Sequence, residues 1–288
     1  MLDRPLVIFG TGRNGSSAFH RLLASHPHLA WMSRLTDDFP RLPGLNRIIM
    51  RGLDVHPFGA LLRRTVKAGE CYSFWESYIP GFRRPGRDLA SSDYRPEHAA
   101  ILRAFERMLT PRRSRLLLKI TGWPRLGFLT RLFEDGRFLH IYRDGRAVAA
   151  STMKVGFWRG REGPGKWRWG PLSPEHEAAW EASGRSLAVL AGIQWMLLMD
   201  AAEAAIRSVP PERLFTLRYE DLCAAPGTRM REVAGFCGLE YHPDFERAVR
   251  SFEPRNANFK WRRELSPADR SRLEALLAGH LERYGYEV

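Results

Sequence analysis

The sequence predicts an α/β fold: a single P-loop-like domain with a central parallel β-sheet flanked by helices. Three observations carry that prediction. Short, wholly apolar runs rich in β-branched residues recur along the chain, as buried parallel strands do. Helical, amphipathic segments follow them, which gives the strand–helix–strand grammar of a parallel sheet. The first strand is joined to its helix by a glycine-rich turn.

Pro5 to Phe9 (PLVIF) is the first of these strands. Gly10-Thr11-Gly12-Arg13-Asn14-Gly15 turns the chain, and Ser16 and Ser17 open a helix carrying Ala18, Phe19, Leu22 and Leu23, stopped by His26-Pro27. Arg115 to Ile120 (RLLLKI) and Arg137 to Tyr142 (RFLHIY) predict two more strands, with the amphipathic segment Leu126 to Phe133 between them. Asp144-Gly145-Arg146 leads into the next helix, and a fourth strand is expected at Leu214 to Arg218. Ser173-Pro174-Glu175 supplies an N-cap, a proline at the first helical position and an acidic first turn. The pattern behind it predicts one helix through Trp180, Leu187, Leu190 and Trp195 to about Ala205. Ser266-Pro267-Ala268-Asp269 repeats that start, ahead of Leu273, Leu276, Leu277 and Leu281. Residues 156–171 hold five glycines, two prolines, three tryptophans and four basic residues, and read as a long irregular loop. It is either a substrate lid or a loop pinned down by its own tryptophans. With no internal repeat and no linker, residues 1–288 are expected to form one domain.

Composition narrows the function. The 288 residues are 44% hydrophobic and 27% charged, a mixture that supports a buried core. The formal charge is +13, and only five of the 45 basic residues are lysine, leaving 40 arginines. Because the arginines are spread along the chain, compositional bias explains most of them; a partner or substrate bearing phosphate or sulfate accounts for the rest. No basic helix, aromatic RNA-binding signature or zinc finger supports a nucleic-acid partner. No apolar run approaches the ~20 residues of an integral membrane segment, and the N-terminus lacks a signal-peptide core. Cys71, Cys223 and Cys237 show no CxxC spacing, which argues against zinc or disulfides and suits a cytoplasmic location. His176-Glu177-Ala178-Ala179-Trp180 begins like a zinc-protease helix, but Trp180 stands where the second histidine must be. No metal is expected.

Two segments carry chemistry. A glycine turn between a strand and a helix aims backbone N–H groups and the positive helix end at one point, where phosphate sits. The spacing Gly10-x4-Gly15-Ser16-Ser17 is nearly the Walker pattern, but Ser16 replaces its lysine and Arg13 places the basic residue inside the loop. A nucleotide-binding protein or a small-molecule kinase using a nucleoside triphosphate is the alternative reading, and the missing lysine counts against it. The second segment, Arg143-Asp144-Gly145-Arg146-Ala147-Val148-Ala149-Ala150-Ser151, also follows a strand, where ligands of open α/β sheets collect. A guanidinium at Arg143 and a hydroxyl two turns on, at Ser151, can grip one phosphate from two sides.

Together, FGTGRNGSSAFHRLLASHP and RDGRAVAAS resemble the two cofactor motifs of sulfotransferases that use 3′-phosphoadenosine 5′-phosphosulfate (PAPS). The resemblance extends through RYEDL (Arg218 to Leu222), FCGL (Phe236 to Leu239) and NANFKW (Asn256 to Trp261) to Tyr284-Gly285-Tyr286. It implies that Arg13 contacts the sulfate and the bridging oxygen. Asn14, Gly15, Ser16 and Ser17 would bind the 5′-phosphate, Arg143 and Ser151 the 3′-phosphate, and Tyr219 would lie near the adenine. Asn258 and Lys260 would close a C-terminal loop over the 3′-phosphate. Lys119 matches a basic residue the family often has near a strand end, where it would polarise the sulfate; a surface lysine is the alternative. The implied acceptor is a small molecule, glycan or lipid with a hydroxyl or amine.

The base is where the sequence departs from the family. Lys119-Ile120-Thr121-Gly122 lacks the histidine many members carry there, and Met32-Ser33-Arg34 lacks the glutamate others carry after the first helix. Asp37, Asp38, Glu70 and Glu76 remain. Glu70 is chosen because Tyr72, Phe74 and Trp75 are close in sequence, and aromatic neighbours desolvate a carboxylate and make it a better base.

Overall fold

The computed structural model describes residues 2–254 and 257–288. Strands β1 (Leu6–Gly10), β2 (Leu29–Trp31), β3 (Arg115–Thr121), β4 (Arg137–Tyr142) and β5 (Leu214–Arg218) form one sheet in the order β2-β3-β1-β4-β5. Every neighbouring pair is parallel, with Gly10 opposite Thr121 and Tyr142 opposite Arg218 in register. Helices cover both faces, so β1 is buried on both sides. Leu6 and Ile8 pack with Phe19, Leu22 and Leu23, while Val7 and Phe9 pack with Trp75, Phe105 and Leu129. That is why the strand is apolar at every position instead of at alternate ones.

The four expected strands are present, with bounds within a residue. β2 was not anticipated: it has three residues, too few to show a period, and forms an edge by pairing with Arg115 to Leu117.

The single helix expected from Ser173 to about Ala205 is two, Pro174–Ala182 and Leu187–Ile206. Between them Gly184 and Arg185 adopt positive φ of 69° and 60°. Ser186 then caps the second helix by accepting hydrogen bonds from the N–H groups of Ala188 and Val189. Apolar spacing ran through this break because Trp180 and Leu187, one on each side of it, lie seven residues apart, a helical spacing. Leu187–Ile206 is long and apolar enough to cross a membrane, which the reading of apolar runs missed because Gln194, Asp200 and Glu203 interrupt it. It packs in a third core cluster, where Trp195 and Met199 meet Ala149, Leu273 and Leu277.

β1 lies in the middle of the sheet. From it the chain runs first to the β2 edge and later crosses to the β5 edge, so the carboxyl ends of β1, β3 and β4 border one crevice.

Candidate active site

The loop after β1 is shaped by left-handed residues. Gly12, Arg13 and Gly15 take positive φ of 83°, 55° and 87°, which turns the chain tightly before the helix Ser16–Ala24. Among the described residues, the N–H groups of residues 12–15 take no backbone partner. Gly15 has two reasons to be glycine. Its conformation is left-handed, and a Cβ there would lie 2.0 Å from the ring of Tyr219. Asn14 is fully buried: its amide donates to the carbonyl of Ile141 at 2.6 Å, and its Oδ1 accepts from the N–H of Ser16 at 3.3 Å. The side chain therefore ties the loop to β4, and what Asn14 can offer an anion is its backbone N–H.

The second motif folds onto this loop. Arg13 Nε donates to Ser151 Oγ at 3.0 Å, and Arg143 Nη1 donates to the carbonyl of Arg13 at 3.3 Å. Arg143 Nε donates to Asn258 Oδ1 at 3.0 Å, and its guanidinium lies 5.0 Å from the centre of the Tyr219 ring. Five residues expected to share a site thus meet. Arg143 is buried, yet neither it nor Arg13 forms an ion pair among the described residues. The neighbouring carboxylate is committed elsewhere: Asp144 caps the helix Gly145–Thr152 and pairs with Arg146 at 2.9 Å. Burial, and then the charge of Arg143, lower the pKa of Arg13. Burial pushes the Tyr219 phenol up to about 12, so the ring is a neutral platform. Lys260 is exposed and its side chain makes no contact with this cluster among the described residues. Asn256, in the NANFKW stretch, lies outside the described residues.

A second cluster sits at the end of β3. Lys119 Nζ donates to Ser17 Oγ at 3.0 Å and pairs with Glu70 Oε1 at 2.9 Å. The other carboxylate oxygen, Oε2, accepts from Thr121 Oγ1 at 2.8 Å. Lys119 is buried, not a surface lysine. Glu70 is therefore held by a cation and a hydroxyl, in addition to the aromatic neighbour Tyr72 that the sequence reading expected beside it. The other carboxylates have structural partners. Asp37 accepts from the N–H of Ser73 at 2.6 Å, and Asp38 pairs with Arg34. Both oxygens of Glu76 accept backbone N–H groups, from Gly81 and Arg83, at 2.8 Å.

Arg13, Ser16, Ser17 and Glu70 all line a cavity of about 580 Å³. Residues 156–171 form part of its wall, with Trp158, Trp167 and Trp169 turned towards it. Trp158 Nε1 donates to Gln194 Oε1 at 2.8 Å, and Trp169 lies against Gly122. The loop is thus anchored by its tryptophans while also lining the cavity.

Sequence reasoning missed two contributors. Thr121 orients Glu70, and its signal was present, since it ends β3 opposite Gly10. Glu220 accepts the N–H of Asp144 at 3.2 Å and the hydroxyl of Tyr286 at 3.0 Å, so the later motifs brace the Arg143 turn.

Residues 5–243 match the model of the Sulfotransferase family. No curated protein matches the sequence at a significant level. Among solved structures, a sulfotransferase from Mycobacterium avium aligns with TM-score 0.63 and 17% identity, covering 100% of this chain and 78% of that one. A sulfotransferase domain from the curacin biosynthetic pathway aligns with TM-score 0.56 and 14% identity, covering 100% and 99%. A sulfotransferase from Mycobacterium tuberculosis H37Rv gives 0.53 and 15%, covering 97% and 77%. At these identities the structural likeness speaks for the fold.

Proposed function

The chain belongs to the sulfotransferase family, and from that premise we propose that it moves a sulfuryl group from PAPS to a hydroxyl or amine of an acceptor. The observation that carries the choice of donor is the meeting of Arg13 and Arg143 with Ser151 and the N–H groups of residues 12–15, which take no backbone partner among the described residues. Two like charges held together, one of them buried, without a carboxylate are unfavourable until an anion joins them. Gly15, with no Cβ, lets the ring of Tyr219 pack directly against the loop, beside the guanidinium of Arg143. These residues fit a donor with phosphate at both ends: residues 12–17 would hold its 5′ end, and Arg143, Ser151 and Asn258 its 3′-phosphate.

When bound, the donor supplies an electrophilic sulfur and a phosphate leaving group. The chain's own residues do the rest. Glu70, lining the cavity, accepts the acceptor's proton as the acceptor oxygen attacks sulfur and the bond from sulfur to the 5′-phosphate breaks. Lys119, between Glu70 and Ser17, places a cation beside both the base and the phosphate loop. Arg13 stabilises the charge that develops on the leaving oxygen. Sulfuryl carries less charge than phosphoryl, so these cations suffice without magnesium.

Calorimetry with adenosine 3′,5′-bisphosphate, with and without magnesium, tests the donor. Tight, magnesium-independent binding is expected; a preference for ATP with magnesium would overturn the assignment.

A further inference from the structure

The cavity wall says more about the acceptor than the family does. Among the described residues lining it are six arginines, six aromatic residues and one acid, Glu70. Glu70 is already paired with Lys119. Three of the arginines have assigned partners or roles. Arg13 belongs to the donor cluster. Arg125 is buried in the wall, donating to the carbonyls of Phe82 and Trp123. Arg159 pairs with Glu162 at 3.0 Å.

Arg83, Arg84 and Arg168 remain. All three are exposed at the cavity, and none forms an ion pair among the described residues. They sit on two segments stitched together: Arg168 donates to the carbonyl of Arg83 at 3.2 Å, and the N–H of Gly86 donates to the carbonyl of Arg168 at 2.9 Å. The fold therefore gathers three guanidiniums beside a cavity that offers no free carboxylate. Aromatic rings supply much of the rest of the wall, with Trp123 and Trp169 edge to face at 5.8 Å.

We propose that the acceptor is a hydroxylated aromatic acid, its ring against the tryptophan walls, its carboxylate on Arg83, Arg84 and Arg168, and its hydroxyl towards Glu70. The inference rests on the donor assignment above. A neutral sugar or a phenol without an acidic group would leave three cations unanswered, and a cationic amine would be repelled by them.

The test uses 4-hydroxyphenylacetate and its neutral methyl ester, titrated into protein saturated with adenosine 3′,5′-bisphosphate so that the donor's phosphate subsites are filled. The acid is expected to bind about tenfold more tightly than the ester, with the difference shrinking at high salt. Arg83→Ala/Arg84→Ala should bring the acid down to the ester's affinity and leave the ester unchanged. The side chains removed make no hydrogen bond among the described residues, while the backbone bonds of Arg83 to Glu76 and of Arg84 to Gly81 persist. Arg83→Lys/Arg84→Lys should retain most of the preference. Equal binding of acid and ester with the bisphosphate bound overturns the inference and leaves the donor assignment standing. If the bisphosphate itself does not bind, both fall.

Discussion

The guanidinium of Arg13 reaches the hydroxyl of Ser151 at 3.0 Å across 138 residues of sequence, joining the loop after β1 to the helix after β4. Arg143 completes the join through the Arg13 carbonyl, and the result is a cationic pocket with its hydrogen bonds arranged but its charge unanswered.

Such a pocket should be dispensable for folding and indispensable for the donor. Arg143→Ala is expected to keep the melting temperature of the ligand-free protein and to lose the rise that adenosine 3′,5′-bisphosphate produces in the wild type. Its affinity should fall about 10- to 100-fold, the worth of a charged hydrogen bond. Ser151→Ala should fall less. Arg143→Lys should not rescue, because one ammonium cannot address the Arg13 carbonyl, Asn258 and a phosphate together. Melting curves with and without the bisphosphate decide it; an Arg143→Ala protein still stabilised like the wild type would refute the assignment.

Gly15 shows how tightly the loop is specified. Gly15→Ala forces a left-handed residue and drives a Cβ to 2.0 Å from the Tyr219 ring. The conformational part alone should cost about 1–2 kcal/mol, with the ring clash added to it. Gly15→Ala/Tyr219→Ala should relieve the clash and retain the conformational cost, which denaturant unfolding of the two single variants and the double variant can separate. If the double variant recovers nothing beyond the sum of its parts, the ring contact does not set the choice of glycine.

Glu70 and Glu76 are close in sequence and carry opposite expectations. Glu70→Gln should lower turnover by about 10²- to 10⁴-fold while leaving bisphosphate affinity unchanged, since the amide keeps a contact with Thr121 but cannot take the proton. Glu76→Gln should leave turnover near wild type and lower stability by about 1 kcal/mol, because Glu76 holds two backbone N–H groups of the turn at Gly81 and Arg83. Single-turnover rates and urea unfolding distinguish the two. Wild-type-like turnover in Glu70→Gln would move the base elsewhere.

What the sequence disclosed divides along physical lines. The positions of the glycine turn after β1, of Arg143 and of Ser151 were legible because each sits next to a strand or in a helix whose local pattern fixes its position. Glu70 was chosen for its aromatic neighbours in sequence, and Tyr72 does lie against it, but Lys119 and Thr121, brought in from β3, hold its two oxygens. No spacing within one segment reports such a contact. The break at Gly184-Arg185 was hidden because the apolar pattern carries across it, and β2 because three residues have no period. The sequence also could not tell which part of Asn14 is free: its side chain is taken by the carbonyl of Ile141 and the N–H of Ser16, which leaves its backbone N–H.

Two buried histidines make the fold sensitive to acid. His20 is 1% exposed with no hydrogen-bond partner on Nε2, and burial together with the charge of Lys119 lowers its pKa to about 3. His140 stacks on Phe9 at 4.8 Å, and burial lowers its pKa to about 4. An unfolded histidine titrates near 6.5, so below that pH the unfolded chain binds protons that the folded chain does not. Stability is full above about pH 6.5 and falls as the pH drops towards the folded values, by about 1.4 kcal/mol per pH unit for each histidine. Asp88, pushed up to about 6 by burial, acts in the opposite direction, so the difference between variants is the clean readout. His140→Phe keeps an aromatic ring against Phe9 and removes one titration. Between pH 7 and pH 5 it should lose about 2 kcal/mol less stability than the wild type, measured by urea unfolding at each pH. Parallel pH profiles for the two proteins would show that His140 is protonated in the folded state and that its burial does not govern the acid response.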